Sequence, residues 1–220
     1  MEKRTSRLSL VFFGMAMALL AATPSLATSF TVHGYTLGER ISLTNGTRVW
    51  TAQLDVSLEG IASHVDAFCV DLDNMIAPGQ YTAAQVLDAF SSPSPAGETP
   101  RNLAWAGFVM QNFGEVDGLA VGGITKTQAI TGLQAAIWEG IYGGGRVDVS
   151  SLSANARSIF EKIMAHANDP LVGDGPLVVD LRGYQDQIIR GGHAVPEPTA
   201  ALVFGLGTAV VAVGTRRRTV

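Results

Sequence analysis

Ile41-Ser42-Leu43-Thr44-Asn45-Gly46-Thr47-Arg48-Val49-Trp50-Thr51-Ala52-Gln53-Leu54-Asp55-Val56-Ser57-Leu58 reads as two strands and the turn that joins them. β-Branched and aromatic residues crowd both flanks, and an Asn-Gly pair between such runs is a strong hairpin signal because both residues tolerate a positive φ. Strands are predicted at Ile41 to Thr44 and Arg48 to Leu58, and the same composition extends outward to Ser29 to Tyr35 and Ser63 to Leu72. Farther along the chain the pattern changes. Ser91-Ser92-Pro93-Ser94-Pro95-Ala96-Gly97, within a compositional break from Asp88 to Pro100, reads as a surface loop. Apolar residues then recur at helical spacing, which predicts helices at Thr82 to Phe90, Pro100 to Phe113, Thr125 to Tyr142 and Ser151 to Ala167, with a closing strand at Pro176 to Leu181. Strands followed by helices argue for an α+β domain: an N-terminal antiparallel sheet or partial barrel packed against a helical C-terminal half.

The two ends of the chain have a different character. Lys3, Arg4 and Arg7 precede an apolar stretch from Leu8 to Ala22, and Pro24 and Ser25-Leu26-Ala27 follow it. That is the layout of a secretory signal peptide, residues 1–27, with cleavage by signal peptidase expected after Ala27. At the other end Val195-Pro196-Glu197-Pro198 leads into an uncharged run from Thr199 to Thr215 and then Arg216-Arg217-Arg218. An apolar run of about 17 residues is at the short limit for a membrane helix, and the arginines on one side give it the polarity of a span whose basic end stays in the cytoplasm. The motif at 195–198, the apolar segment at 199–215 and the Arg cluster at 216–218 resemble, in that order, the PEP-CTERM sorting signal of Gram-negative bacteria. The resemblance implies that residues 195–220 are a sorting tail, with Pro196, Glu197, Pro198, Arg216, Arg217 and Arg218 as its recognition elements. It also implies a membrane-embedded exosortase as partner, an inner-membrane precursor, and transfer to the envelope, surface or matrix.

Between the ends lie about 168 residues, a length suited to one domain with a sizeable core, here 28–194. No internal repeat or long linker interrupts them. Residues 28–195 hold 9 Lys and Arg against 17 Asp and Glu, a net −8 where the whole chain carries −4. Such a surface lacks the basic patches that phosphate binding needs, so a nucleic-acid partner is not expected.

The helix predicted at Thr125 to Tyr142 has an apolar stripe of Ile130, Leu133, Ile137 and Ile141, and Gln134 lies within it. A buried amide without a partner costs about 1–3 kcal/mol, so Gln134 needs one, and the ordinary answer is a hydrogen bond to a strand backbone or a place at a semi-exposed edge of the stripe. Gln128 lies about 120° away around the helix and is not bound by the same argument. Cys69, the one cysteine of the chain, sits in strand-like Ala67-Phe68-Cys69-Val70-Asp71. In an exported protein it has no disulfide partner within the chain, and it is either a buried thiol or a reactive one.

Phe68-Cys69-Val70-Asp71 and Leu133-Gln134-Ala135-Ala136-Ile137-Trp138-Glu139 resemble the paired motifs of the bacterial thioester domain of surface adhesins. In that family an aromatic-Cys-apolar-acid strand faces a Gln-x-Ala-Ile-Trp helix, with Thr usual where this chain has Leu133. The resemblance spans roughly Phe68 to Tyr142 and implies that Cys69 supplies the sulfur and Gln134 the acyl group of an internal thioester. Phe68, Trp105, Trp138 and Tyr142 are candidates to keep water off that bond, and the same residues have a plain reading as core. An amine-bearing surface or matrix macromolecule is the implied partner. Capture would be single-use, so the protein is not expected to be an enzyme.

Other chemistry is weakly signalled. Asp71, Asp73 and Asn74 lack the glycine and distal glutamate of a calcium loop and read as a solvated strand end. His33, His64, His166 and His193 have no zinc-site spacing, and no cofactor is implied. His64 would point away from Cys69 on an extended strand. Gly143-Gly144-Gly145 follows a helix and reads as its stop, not as a phosphate cradle. Two functions stay open on sequence alone: a surface protein that couples covalently through Cys69 and Gln134, and a non-reactive envelope or biofilm-matrix protein with Cys69 as a buried thiol.

Overall fold

The computed structural model describes residues 28–72, 74–83, 85–90, 101–172 and 175–190. The expected signal peptide, the sorting tail with its membrane helix, the loop at 91–97, Asp73 and His193 lie outside these residues. The described residues fall in one compact unit, Ala27–Val195.

Among the described residues seven strands form a single sheet: β1 Thr28–Ser42, β2 Arg48–Leu58, β3 Ala62–Cys69, β4 Gly79–Ala83, β5 Gln85–Asp88, β6 Leu177–Asp180 and β7 Gln187–Ile189. The spatial order is β4-β1-β2-β3-β7-β6-β5, and every pairing is antiparallel. The two edge strands, β4 and β5, run in the same direction and are separated only by residue 84. One extended segment thus pairs first with β1 and then with β6, and the sheet is a nearly closed barrel. The edges that remain are short, five residues in β4 and four in β5, which limits the backbone left to solvent.

The helices are α1 Leu103–Phe113, α2 Val116–Leu119, α3 Lys126–Ile141 and α4 Ala154–Met164, with a short 3₁₀ turn at Val149–Ser151. The α+β expectation therefore holds, with the helices packed against an antiparallel sheet. α3 is central: Ala129 to Trp138 are all buried, because β1 and β2 cover one side and the other helices cover the rest. Its start is fixed by a capping box in which the Thr125 side chain accepts from the Gln128 N–H while Gln128 accepts from the Thr125 N–H. That role accounts for Gln128.

The Asn45-Gly46 turn is present. Leu43 C=O accepts from the Gly46 N–H at 2.9 Å, Leu43 N–H donates to Thr47 C=O at 2.8 Å, and Gly46 has φ +84°. A type I turn ends in a left-handed glycine, the three-residue form of the hairpin. β2 has the predicted limits, whereas the two strands expected at 29–35 and 41–44 are one strand, bent at pairing irregularities between Val32 and Gly34 and between Leu37 and Arg40.

The helix expected at Thr82 to Phe90 is absent. Those residues form the end of β4 and all of β5, because Gln85 to Asp88 pair with Asp180 to Leu177 and complete the barrel. Ladder bonds and burial outweigh the local helical pattern. β7 was not anticipated, and the helix expected from Ser151 begins at Ala154 after the 3₁₀ turn.

Candidate functional site

β2 and β3 are paired only as far as Leu54 and Ala67, and β3 then turns its other edge to β7. Val70 N–H donates to Asp186 C=O on that edge, so the main-chain groups of Cys69 face the gap where β2 has left. Gln134 fills the gap. Its Oε1 accepts from the Cys69 N–H at 3.2 Å and its Nε2 donates to the Cys69 C=O at 2.8 Å. The fully buried side-chain amide thus replaces a missing strand as the ladder partner of one residue.

The same helical face continues along the strand. Gln134, Trp138 and Tyr142 are spaced i, i+4 and i+8, and the Tyr142 hydroxyl accepts from the Leu72 N–H at 3.2 Å. Eight helical residues rise about 12 Å and three extended residues about 10 Å, so α3 and the segment from Cys69 to Leu72 keep step. Trp138 lies between the two anchor points and is buried, with no hydrogen-bond partner for its indole N–H among the described residues. Trp105, from α1, donates its indole N–H to the Ala136 C=O at 2.8 Å. The Arg146 guanidinium covers the ring of Tyr142 at 4.9 Å. Of the four proposed shields, Phe68 is displaced. It is buried, but strand alternation sends its side chain to the face opposite that of Cys69.

The sulfur has its own neighbour. Gln187 lies directly across from Cys69 in the β3–β7 register, and its Nε2 is 3.7 Å from Sγ. Burial pushes the Cys69 thiol up to about 12; the Gln187 hydrogen bond opposes that shift and the charge of Asp71 adds to it. The thiol is therefore protonated at neutral pH.

Beneath Cys69 lies a buried ion pair, Arg101 with Asp186 at 2.7 Å. Arg101 also donates to the Val70 C=O, and Asp186 accepts from the Leu181 N–H. Gln185 Nε2 donates to the Asp71 C=O at 2.7 Å, so β7 and the turn before it hold both ends of the Cys69–Asp71 segment. Asp180 is buried nearby, and burial and then the charge of Asp186 push its carboxyl up. Arg101, Asp180, Asp186 and Gln187 were missed from sequence, since their partners lie across the fold.

Asp71 is buried, not solvated, and accepts from Asn74 Nδ2 at 2.7 Å. His64 stands on the exposed outer face, stacked on His33 at 4.2 Å and hydrogen-bonded to Asp55, away from the buried Cys69. Among the described residues no group of side chains is arranged to hold a metal ion. No helix among them is long and apolar enough to cross a membrane. The triple glycine after α3 is wrapped around Glu139, whose carboxylate accepts from the N–H groups of Gly145, Arg146 and Val147. No family model matches the chain, and neither a curated protein nor a solved structure is significantly similar to it.

Proposed function

We propose that the chain is an exported surface or matrix protein, sorted by an exosortase, that carries an internal Cys69–Gln134 thioester for covalent attachment to an amine-bearing partner. The observation that carries this reading is the seating of the Gln134 amide on Cys69, in a gap of the sheet that no strand among the described residues fills. The tail motif at 195–198 and the Arg cluster at 216–218 support the sorting step.

The chemistry is balanced within the pair. The Cys69 sulfur adds to Gln134 Cδ, the C–N bond breaks, and ammonia departs with the thiol proton. For this the amide must leave its two main-chain bonds and turn its carbonyl carbon toward Sγ, to about 3–3.5 Å. A partner amine then adds to Cδ, the C–S bond breaks, and the proton lost by the amine returns to sulfur. The product is an isopeptide-type amide and a free thiol. Burial of the junction by Trp105, Trp138 and Tyr142 would slow competing hydrolysis.

A second reading, a non-reactive structural protein, is favoured by the satisfied bonds of Gln134 and the raised pKa of the thiol. Intact mass separates the two. The thioester reading expects the loss of one ammonia in wild type, full mass in Cys69→Ala, and a methylamine adduct only in wild type. Full mass in wild type leaves the structural reading in its place.

A further inference from the structure

Cys69 is gripped by two glutamines, and they hold different parts of it. Gln134 takes the main-chain N–H and C=O, whereas Gln187 takes the sulfur. Gln187 is fully buried, and its Nε2 also donates to the Gln185 C=O at 2.9 Å. That second bond fixes the amide orientation, since a flipped amide would set two carbonyl oxygens against each other. Gln187 Oε1 is then buried with no hydrogen-bond partner among the described residues. A buried acceptor left bare beside the one thiol of the chain calls for a donor that arrives during the chemistry.

We propose that Gln187 is the positioning residue of the Cys69 thiol. Its N–H holds Sγ on the face of β3 toward which the Gln134 carbonyl carbon must turn, and a hydrogen bond to sulfur is stronger once the sulfur carries negative charge. The bare Oε1 accepts an N–H from the ammonia that leaves or from the amine that enters, which favours amines over partners without that donor. Gln187 forms no covalent bond and takes no proton; the thiol proton still departs with ammonia. This role rests on the thioester reading and adds to it a residue outside the paired motifs.

The test uses the full chain and two substitutions of similar volume. Gln187→Met removes both donor and acceptor, and Gln187→Glu keeps the acceptor while removing the N–H. Ammonia loss is followed by intact mass against pH, and methylamine capture is followed on the matured protein, with thermal melts for each variant. Gln187→Met is expected to slow ammonia loss by about tenfold, the equivalent of one unit in the thiol pKa, and to move the rate profile to higher pH. Gln187→Glu should move it the same way, which keeps the role testable if the methionine variant does not fold. Unchanged rates and pH profiles in folded variants, with ammonia lost normally in wild type, would overturn the role of Gln187 alone. No ammonia loss in wild type overturns the thioester and this role together.

Discussion

Replacing Gln134 by leucine strips Cys69 of both main-chain partners at a point the sheet does not otherwise cover. Each orphaned buried group costs about 1–3 kcal/mol. In a Cys69→Ala background, where no thioester contributes, Gln134→Leu should therefore lower unfolding free energy by about 2–6 kcal/mol in a urea titration. Cys69→Ala itself removes one small side chain and should cost about 1 kcal/mol. Equal stability with and without Gln134 would mean that the amide is not the ladder partner of Cys69. Asp180 gives a pH signature nearby. Its carboxyl is held above the usual range by burial and by Asp186, so the folded state binds its proton more tightly than the unfolded state does. This term favours the fold fully below the unfolded value of about 4 and is lost as pH rises through the higher folded value, leaving an ionised, poorly solvated carboxylate. Asp180→Asn should raise the melting temperature at pH 7 and make much less difference at pH 4. A gain of equal size at both would point to packing and not to charge.

The elements differ in how much of them sequence alone reveals. β2 and α3 are long and periodic, and their starts are marked by local signals: the Thr125–Gln128 capping pair, the Asn45 side chain that accepts from the Thr47 N–H, and the left-handed Gly46. β4, β5 and β7 are short, and nothing within five residues of them announces a strand. Val86 and Leu87 lie in a stretch with a helical pattern, and they are extended because β6 needs a partner to complete the barrel. Gln187 was hidden for the same reason: it is 118 residues from the thiol that it touches. The apolar stripe shows that Gln134 needs a partner, but only the pair of motifs points to Cys69, and their meeting depends on β2 parting from β3. The crossing of α1 and α3 is set by a single position. Gly140 lets the Trp105 indole lie directly on the helix backbone, where a Cβ would collide with the ring. Gly140→Ala should push the indole off the Ala136 carbonyl and destabilise the fold by about 1–3 kcal/mol. A lower urea midpoint with an unchanged slope is the expected result, and an unchanged midpoint would show that the two helices are free to separate.

At the scale of the whole chain, the proposed sorting signal and the proposed thioester pair lie in different segments of the sequence. The barrel passes its edge from β1 to β6 through one continuous segment, and residues 28–195 carry a net −8. A domain with short edge strands and a like-charged surface has little reason to self-associate. Residues 28–194 expressed alone should be soluble and monomeric by light scattering; pelleting with membranes would contradict this. The thioester reading rests on Phe68 to Tyr142 and the sorting reading on Val195 to Arg218, so routing and bond formation should be separable. Replacing Pro196, Glu197 and Pro198 with alanine in the full chain, in a host that has the matching exosortase, should leave a membrane-held precursor. The same precursor should still show the ammonia loss that Cys69→Ala abolishes. Normal processing of the triple-alanine chain would remove the sorting reading and leave the thioester intact. Retention of the ammonia until processing would instead mean that the bond waits for release from the membrane, and the two segments would then act in sequence.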